Sequence, residues 1–227
     1  MLNGSYPFFQ MSPQTMTISD LNVPHSNEDS MFIHSPEYLL RLLRTELYQN
    51  LSDLRYFTDF INYYRSRANE FGSRETALFE LWNTSLEHRF ISHIDSELDV
   101  RVEARNFKEA LRTAAVLWMN TGLWNFPMTT GLVITSASHL VRVLASSELG
   151  FWREEYTDVF LWMLIVGACC TPNGGTGRAF LIEQLRLIAL AKGFRGTQDL
   201  VKALKNFLYT DGVYTIPLAC LWKDMFK

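Results

Sequence analysis

Residues 156–169 read Tyr-Thr-Asp-Val-Phe-Leu-Trp-Met-Leu-Ile-Val-Gly-Ala-Cys, and a second cysteine, Cys170, follows. From Val159 onward this run has no charged side chain and no alternation of polar with apolar positions. A helix that is apolar on every side is buried on every side. From Val159 to Cys170 the run is twelve residues long, whereas about 18–20 are needed to cross a bilayer. It therefore predicts a core helix, and no membrane segment is expected.

The neighbours of this run repeat at 3–4 residue spacing. Downstream, Thr171-Pro172-Asn173-Gly174-Gly175 breaks the chain. Phe180, Ile182, Leu185, Ile188, Ala189 and Leu190 then set up a helix with Gly193 as its C-terminal stop. Thr197 and Asp199 open another, lined by Leu200, Val201, Leu204, Phe207 and Leu208. Asp211-Gly212 turns the chain, and Pro217 starts a last short helix with Leu218, Leu221, Trp222 and Phe226.

Upstream, a helix is predicted over 130–146, followed by a loop around Gly150. Asn106, three residues before Glu109, looks like a capping box that starts the helix of Phe107, Ala110, Leu111, Ala114, Leu117 and Trp118. The stretch from Asp95 to Arg105 is polar and expected to be irregular. Before it, Leu78, Leu81, Trp82, Leu86, Phe90 and Ile94 form a helix after Gly72-Ser73, with Ser73 as a cap. The first two helices hold Leu39, Leu43, Leu47 and then Leu54, Phe57, Phe60, Ile61, with a break expected near Asn50–Asp53. Residues 1–35, with Pro7, Pro13 and Pro24 and no periodicity, read as a flexible tail. The expectation is an all-α chain of about eight helices, packed as an irregular multi-helix domain over 36–227.

Composition agrees. Of the 227 residues, 48% are hydrophobic and 20% charged, as in ordinary globular proteins. The formal charge of −3 comes from Asp20, Glu28 and Asp29 in the first thirty residues, which leaves 31–227 neutral. A neutral body attracts phosphate backbones poorly, so no direct nucleic-acid binding is expected. Three cysteines, two of them adjacent, fit a reducing compartment and cannot build a six-cysteine zinc cluster. Residues 1–10 carry no basic region and no long apolar run, so no secretory signal is expected there.

The chemical motifs are weak. Asn173-Gly174-Gly175-Thr176-Gly177-Arg178 is rich in glycine but follows a helix and lacks the lysine of a phosphate loop. It reads as a plain interhelix loop. His88 and His93 are five apart, which splays them by ~140° on a helix and suits no zinc site. His139 on the 130–146 helix reads as packed or surface-facing rather than as a general base. Cys169 and Cys170, ending the most apolar helix, read as inert filler. Glu154-Glu155 and Asp95/Glu97 fall in polar stretches. No residue is singled out as catalytic, cofactor-binding or metal-ligating, no cofactor is expected, and the chain is not expected to be an enzyme.

Several stretches, taken in order, resemble the fungal-specific transcription factor domain. Asp158–Ala168 looks like its Leu-Trp-x-Leu-x-x-Gly helix, Arg178-Ala179-Phe180-Leu181 like the segment after it, and Lys192–Thr197 like its Leu-Gly-Leu-type turn. Phe207–Asp211 and Leu221-Trp222 fit its closing part, and Ala110–Ala115 with Leu123–Pro127 its upstream part. The resemblance covers residues 106–226 and implies a regulatory, all-helical domain of fungal zinc-cluster transcription factors, here without the cluster. It further implies protein partners in the transcription machinery, a possible small apolar ligand, and a nuclear location, with the cytoplasm as the alternative. The alternatives are a helical scaffold that takes a partner helix, and a small-molecule or enzymatic pocket between helices.

Overall fold

The structure, a computed structural model, describes residues 37–65, 73–92, 102–123, 126–205, 207–210 and 212–227. Among these, every regular element is helical. The helices are α1 (Glu37–Arg65), α2 (Ser73–Ser92), α3 (Val102–Trp118), α4 (Gly131–Ala145), α5 (Leu149–Glu155), α6 (Thr157–Cys170), α7 (Thr176–Ala191), α8 (Thr197–Lys205) and α9 (Thr215–Met225). A π-helical turn, Met119–Leu123, continues α3. The expected tail 1–35, Gly72, residues 93–101 with His93, Ile94 and the Asp95/Glu97 pair, Trp124-Asn125 and Asp211 lie outside the described residues.

Helix α6 is the axis of the fold. Every residue from Val159 to Ala168 is buried, and α3, α4, α7, α8 and α9 all pack around it. Gly167 makes the closest approach possible: a Cβ there would lie 3.0 Å from Leu140 on α4 and 3.3 Å from Leu181 on α7. Trp162, one and a half turns earlier, meets Trp118 edge-on at 6.1 Å and Phe207 at 5.1 Å. Trp118 in turn stacks on Tyr214 at 4.9 Å. This aromatic cluster joins α3, α6, the segment after α8 and the start of α9.

The turn after α7 shows how local sequence ends a helix. Gly193 adopts φ 67°, a left-handed conformation open to glycine. Its N–H donates to the Leu190 carbonyl at 3.1 Å, and the Phe194 N–H donates to the Ala189 carbonyl at 2.8 Å. Both are the bonds of a Schellman turn, and Phe194 folds back against the core. Next door, the Asp199 carboxylate accepts the Arg195 N–H at 2.7 Å, which anchors the entry into α8.

Several expectations need correction. Helix α8 ends at Lys205, so Phe207 and Leu208 lie in the segment after it rather than on its face. Residues 102–105, expected to be irregular, are helical. The break at Asn50–Asp53 does not occur, because α1 runs through it. Asp53 is tied to its own helix by Gln49 at 2.9 Å and to Arg89 of α2 at 2.8 Å, so its polarity is absorbed inside the packing. Asn106 is not a cap: α3 starts four residues earlier at Val102, ahead of the good helix formers Glu103, Ala104 and Arg105. The region around Gly150 is helix α5, held by Trp152, whose ring is buried edge-on against Phe107 at 5.0 Å and Phe160 at 6.0 Å. On α2 the inner face carries Leu86, Phe90 and Asn83, while Leu81 is exposed.

Candidate functional site

Helices α3 and α4 lie side by side, and both line their shared edge with mostly polar residues at i, i+3, i+4, i+7. On α3 these are Glu109, Arg112, Thr113 and Val116; on α4 they are Thr135, Ser138, His139 and Arg142. Residues at this spacing share one face of a helix. The end of α2 adds Phe90 and Ile91. Together they line an open cleft of about 480 Å³.

The cleft holds a connected polar chain. Arg112 Nη2 donates to Glu109 Oε2 at 2.5 Å. The other oxygen of Glu109 meets His139 Nε2 at 2.7 Å, and His139 Nδ1 meets Arg142 Nη2 at 2.6 Å. A guanidinium can only donate, so Nδ1 accepts and the proton of the ring sits on Nε2, facing the carboxylate. Both nitrogens of His139 are thus occupied, which leaves none free to take a proton from a substrate. Arg112 also reaches the carbonyls of Ile91 at 3.3 Å and Phe90 at 3.5 Å, closing the end of α2.

His139 is therefore half-buried and hydrogen-bonded on both sides, at the surface edge of α4. The cluster was not singled out from sequence. Its available signal is the matched pairs Glu109/Arg112 and His139/Arg142, each three apart on its helix. Which helices lie together is the missing information, because the two pairs are thirty residues apart.

The glycine-rich loop is an interhelix connection, as its sequence predicts. Its Arg178 is buried in the first turn of α7 and donates to the carbonyls of Ala168 and Thr171. Its other terminal nitrogen binds Asp224 of α9 at 3.0 Å. The Arg178 and Lys227 cations beside Asp224 hold its carboxyl below the ordinary range, the Lys227 bond acting most strongly. A cavity of about 580 Å³ lies next to this clamp, and the arginine that lines it is already engaged in the packing.

Cys169 and Cys170 pack with the core. Burial pushes the Cys170 thiol up to about 12, against a smaller opposing effect of the Thr121 hydroxyl bonded to it. Burial also raises Cys169 well above its ordinary value, and Cys220 is exposed. Thr121 shares its hydroxyl with Tyr214 at 2.8 Å, and burial lifts that phenol too. Glu154 and Glu155 are both exposed at the end of α5, and His88 is exposed on α2.

Among the described residues no three of His, Cys, Asp and Glu come together as a metal site, and no helix is long and apolar enough to cross a membrane. No family model matches the chain, no curated protein is similar to it, and no solved structure matches it.

Proposed function

We propose that the chain is a regulatory helical domain of the kind found in fungal zinc-cluster transcription factors, acting through protein contacts or a small ligand and without a cluster of its own. One observation carries this reading. The stretches that resemble that domain fall on one packing unit. Trp162 and Gly167 lie on the central helix, and Arg178 clamps the end of α6 to α9. Gly193 forms the turn that leads to α8, and Phe207 closes over Trp162. Residues that resemble a signature and also share one core support a common architecture, because packing fixes which side chains fit at each of those positions.

The test is a fusion of the chain to a heterologous DNA-binding domain in a yeast reporter strain. The expected outcome is a several-fold change in reporter output, up or down, with the fusion in the nucleus. Unchanged output at confirmed expression removes the reading. So does sequence-preferring binding of a promoter fragment by the chain alone at moderate salt.

A second reading, a small-molecule pocket, is favoured by the cleft between α2, α3 and α4. The two are compatible, since a regulatory domain needs something to sense.

A further inference from the structure

We infer that the α2/α3/α4 cleft is a binding site for a small organic carboxylate with a compact apolar body. This deepens the regulatory reading by supplying the domain with a sensor, and rests on that reading for its purpose though not for its chemistry.

The argument begins with charge. Among the described residues that line the cleft, two guanidiniums, Arg112 and Arg142, face one carboxylate, Glu109. Glu109 is already shared: one oxygen binds Arg112 and the other binds His139. Among the described residues Arg142 reaches the imidazole, whose Nδ1 accepts from it at 2.6 Å. Among the described residues, then, Arg142 has no carboxylate partner, and a guanidinium is the group best suited to a carboxylate. A guanidinium binds a carboxylate through two parallel N–H···O bonds.

The rest of the cleft sets the other half of the ligand. Half-buried Val116 and Ile91, which is 57% exposed at the rim, form the apolar wall, and Phe90 is fully buried beneath. A large aliphatic side chain left in solvent beside a cationic group matches a ligand that is apolar at one end and anionic at the other. The volume, about 480 Å³, lies within the range of ~300–1,000 Å³ typical of small-molecule sites. Inorganic anions would leave the apolar wall wet, and cations would meet Arg142 head-on. The Glu109–His139–Arg142 chain holds the guanidinium in place, which lowers the ordering cost of binding.

The experiment is a calorimetric titration of the full chain with sodium benzoate, alongside inorganic phosphate and cyclohexylammonium. Benzoate is expected to bind saturably, more tightly than phosphate, with no binding of the cation. Arg142→Gln is expected to weaken benzoate by ~10-fold or more. Arg142→Lys should fall between the two. Arg142 is exposed on α4, so the melting temperature of these variants should stay near that of the parent. Should Arg142→Gln prove unstable, Ile91→Asn at the exposed rim is the second variant, and it should weaken benzoate while leaving phosphate unchanged. The inference is overturned by any of three results: no saturable benzoate binding up to about 10 mM, equal binding by a folded Arg142→Gln, or phosphate or cyclohexylammonium binding as tightly as benzoate. Because the titration uses purified chain, its failure leaves the reporter result standing, and the reverse also holds.

Discussion

Helices α6 and α1 both contribute to the core, but they are attached to it differently. From Val159 to Ala168, α6 buries only apolar side chains, and its one buried polar atom without a partner is the Trp162 indole nitrogen. Helix α1 buries Leu51, Leu54, Phe57 and Phe60, and among them also Asn50, Asp53 and Thr58. Its long-range ties are polar. Arg55 donates to the carbonyls of Lys205 and Phe207, and Asn62 donates to the Tyr209 carbonyl at 2.8 Å. Thr58 receives the Trp118 indole at 3.4 Å. The α1/α2 layer also contains amide groups with no hydrogen-bond partner: Asn50 Nδ2 and both ends of Asn83, which is fully buried. Apolar contacts position the middle of α6, with polar ties at its ends through Asp158 and the Ala168 carbonyl, whereas α1 depends along its length on directional bonds to one particular segment.

That difference predicts where substitutions hurt. The largest effect is expected at the centre of α6. Trp162→Ala should cost about 3–5 kcal/mol, read as a lower denaturation midpoint in urea. A loss below ~1 kcal/mol would mean that α6 is not the organising helix.

Alkaline pH should come next. Cys170 is raised from its ordinary value of 9.0 to about 12, so the unfolded chain ionises first. Its contribution to stability is complete below pH 9 and falls as pH rises toward 12, by about 1.4 kcal/mol per pH unit for one group. Cys169 and Tyr214 shift the same way and add to the slope. Denaturation midpoints measured from pH 8 to 11 should therefore decline, and Cys170→Ala should decline less steeply. A flat profile would place these groups in water.

Gly167→Val should cost about 2–3 kcal/mol by overpacking Leu140 and Leu181. Gly167→Ala should be milder, since the ~1 kcal/mol gain in helix propensity offsets part of the clash. The smallest effect is expected in the α1/α2 layer. Asn83→Leu should fall within ~1 kcal/mol of the parent or be more stable, because it removes two buried groups that have no partner. A large loss there would show that Asn83 has a polar partner and would erase the contrast between the two helices.

The same contrast explains what could be read from sequence. Helix α6 was legible because a run without polar residues has one solution. The end of α7 was legible because Gly193 and Phe194 encode their turn locally. The α1 break was a misreading with a physical cause. Asn50 and Asp53 resemble a loop until Gln49 and Arg89 are seen to engage Asp53, and Arg89 comes from another helix. Helix α5 was missed because Trp152, not a periodic face, holds it in place. The cleft was illegible for the most basic reason. Glu109 and His139 are thirty residues apart, and only the docking of α3 on α4 makes them neighbours.

The ties from Arg55 to the Lys205 and Phe207 carbonyls also bear on the order of events as the chain is made. They join positions 150 and 152 residues apart. A ribosome adding ~5–20 residues per second takes about 8–30 s to cover that distance. Through that interval α1 has emerged while its acceptors do not yet exist. Closing so long a loop carries an entropic cost that only the finished bundle can repay. The first described helix to leave the ribosome is thus among the last to be locked in place, and its half-apolar face stays available to chaperones until the segment after α8 arrives.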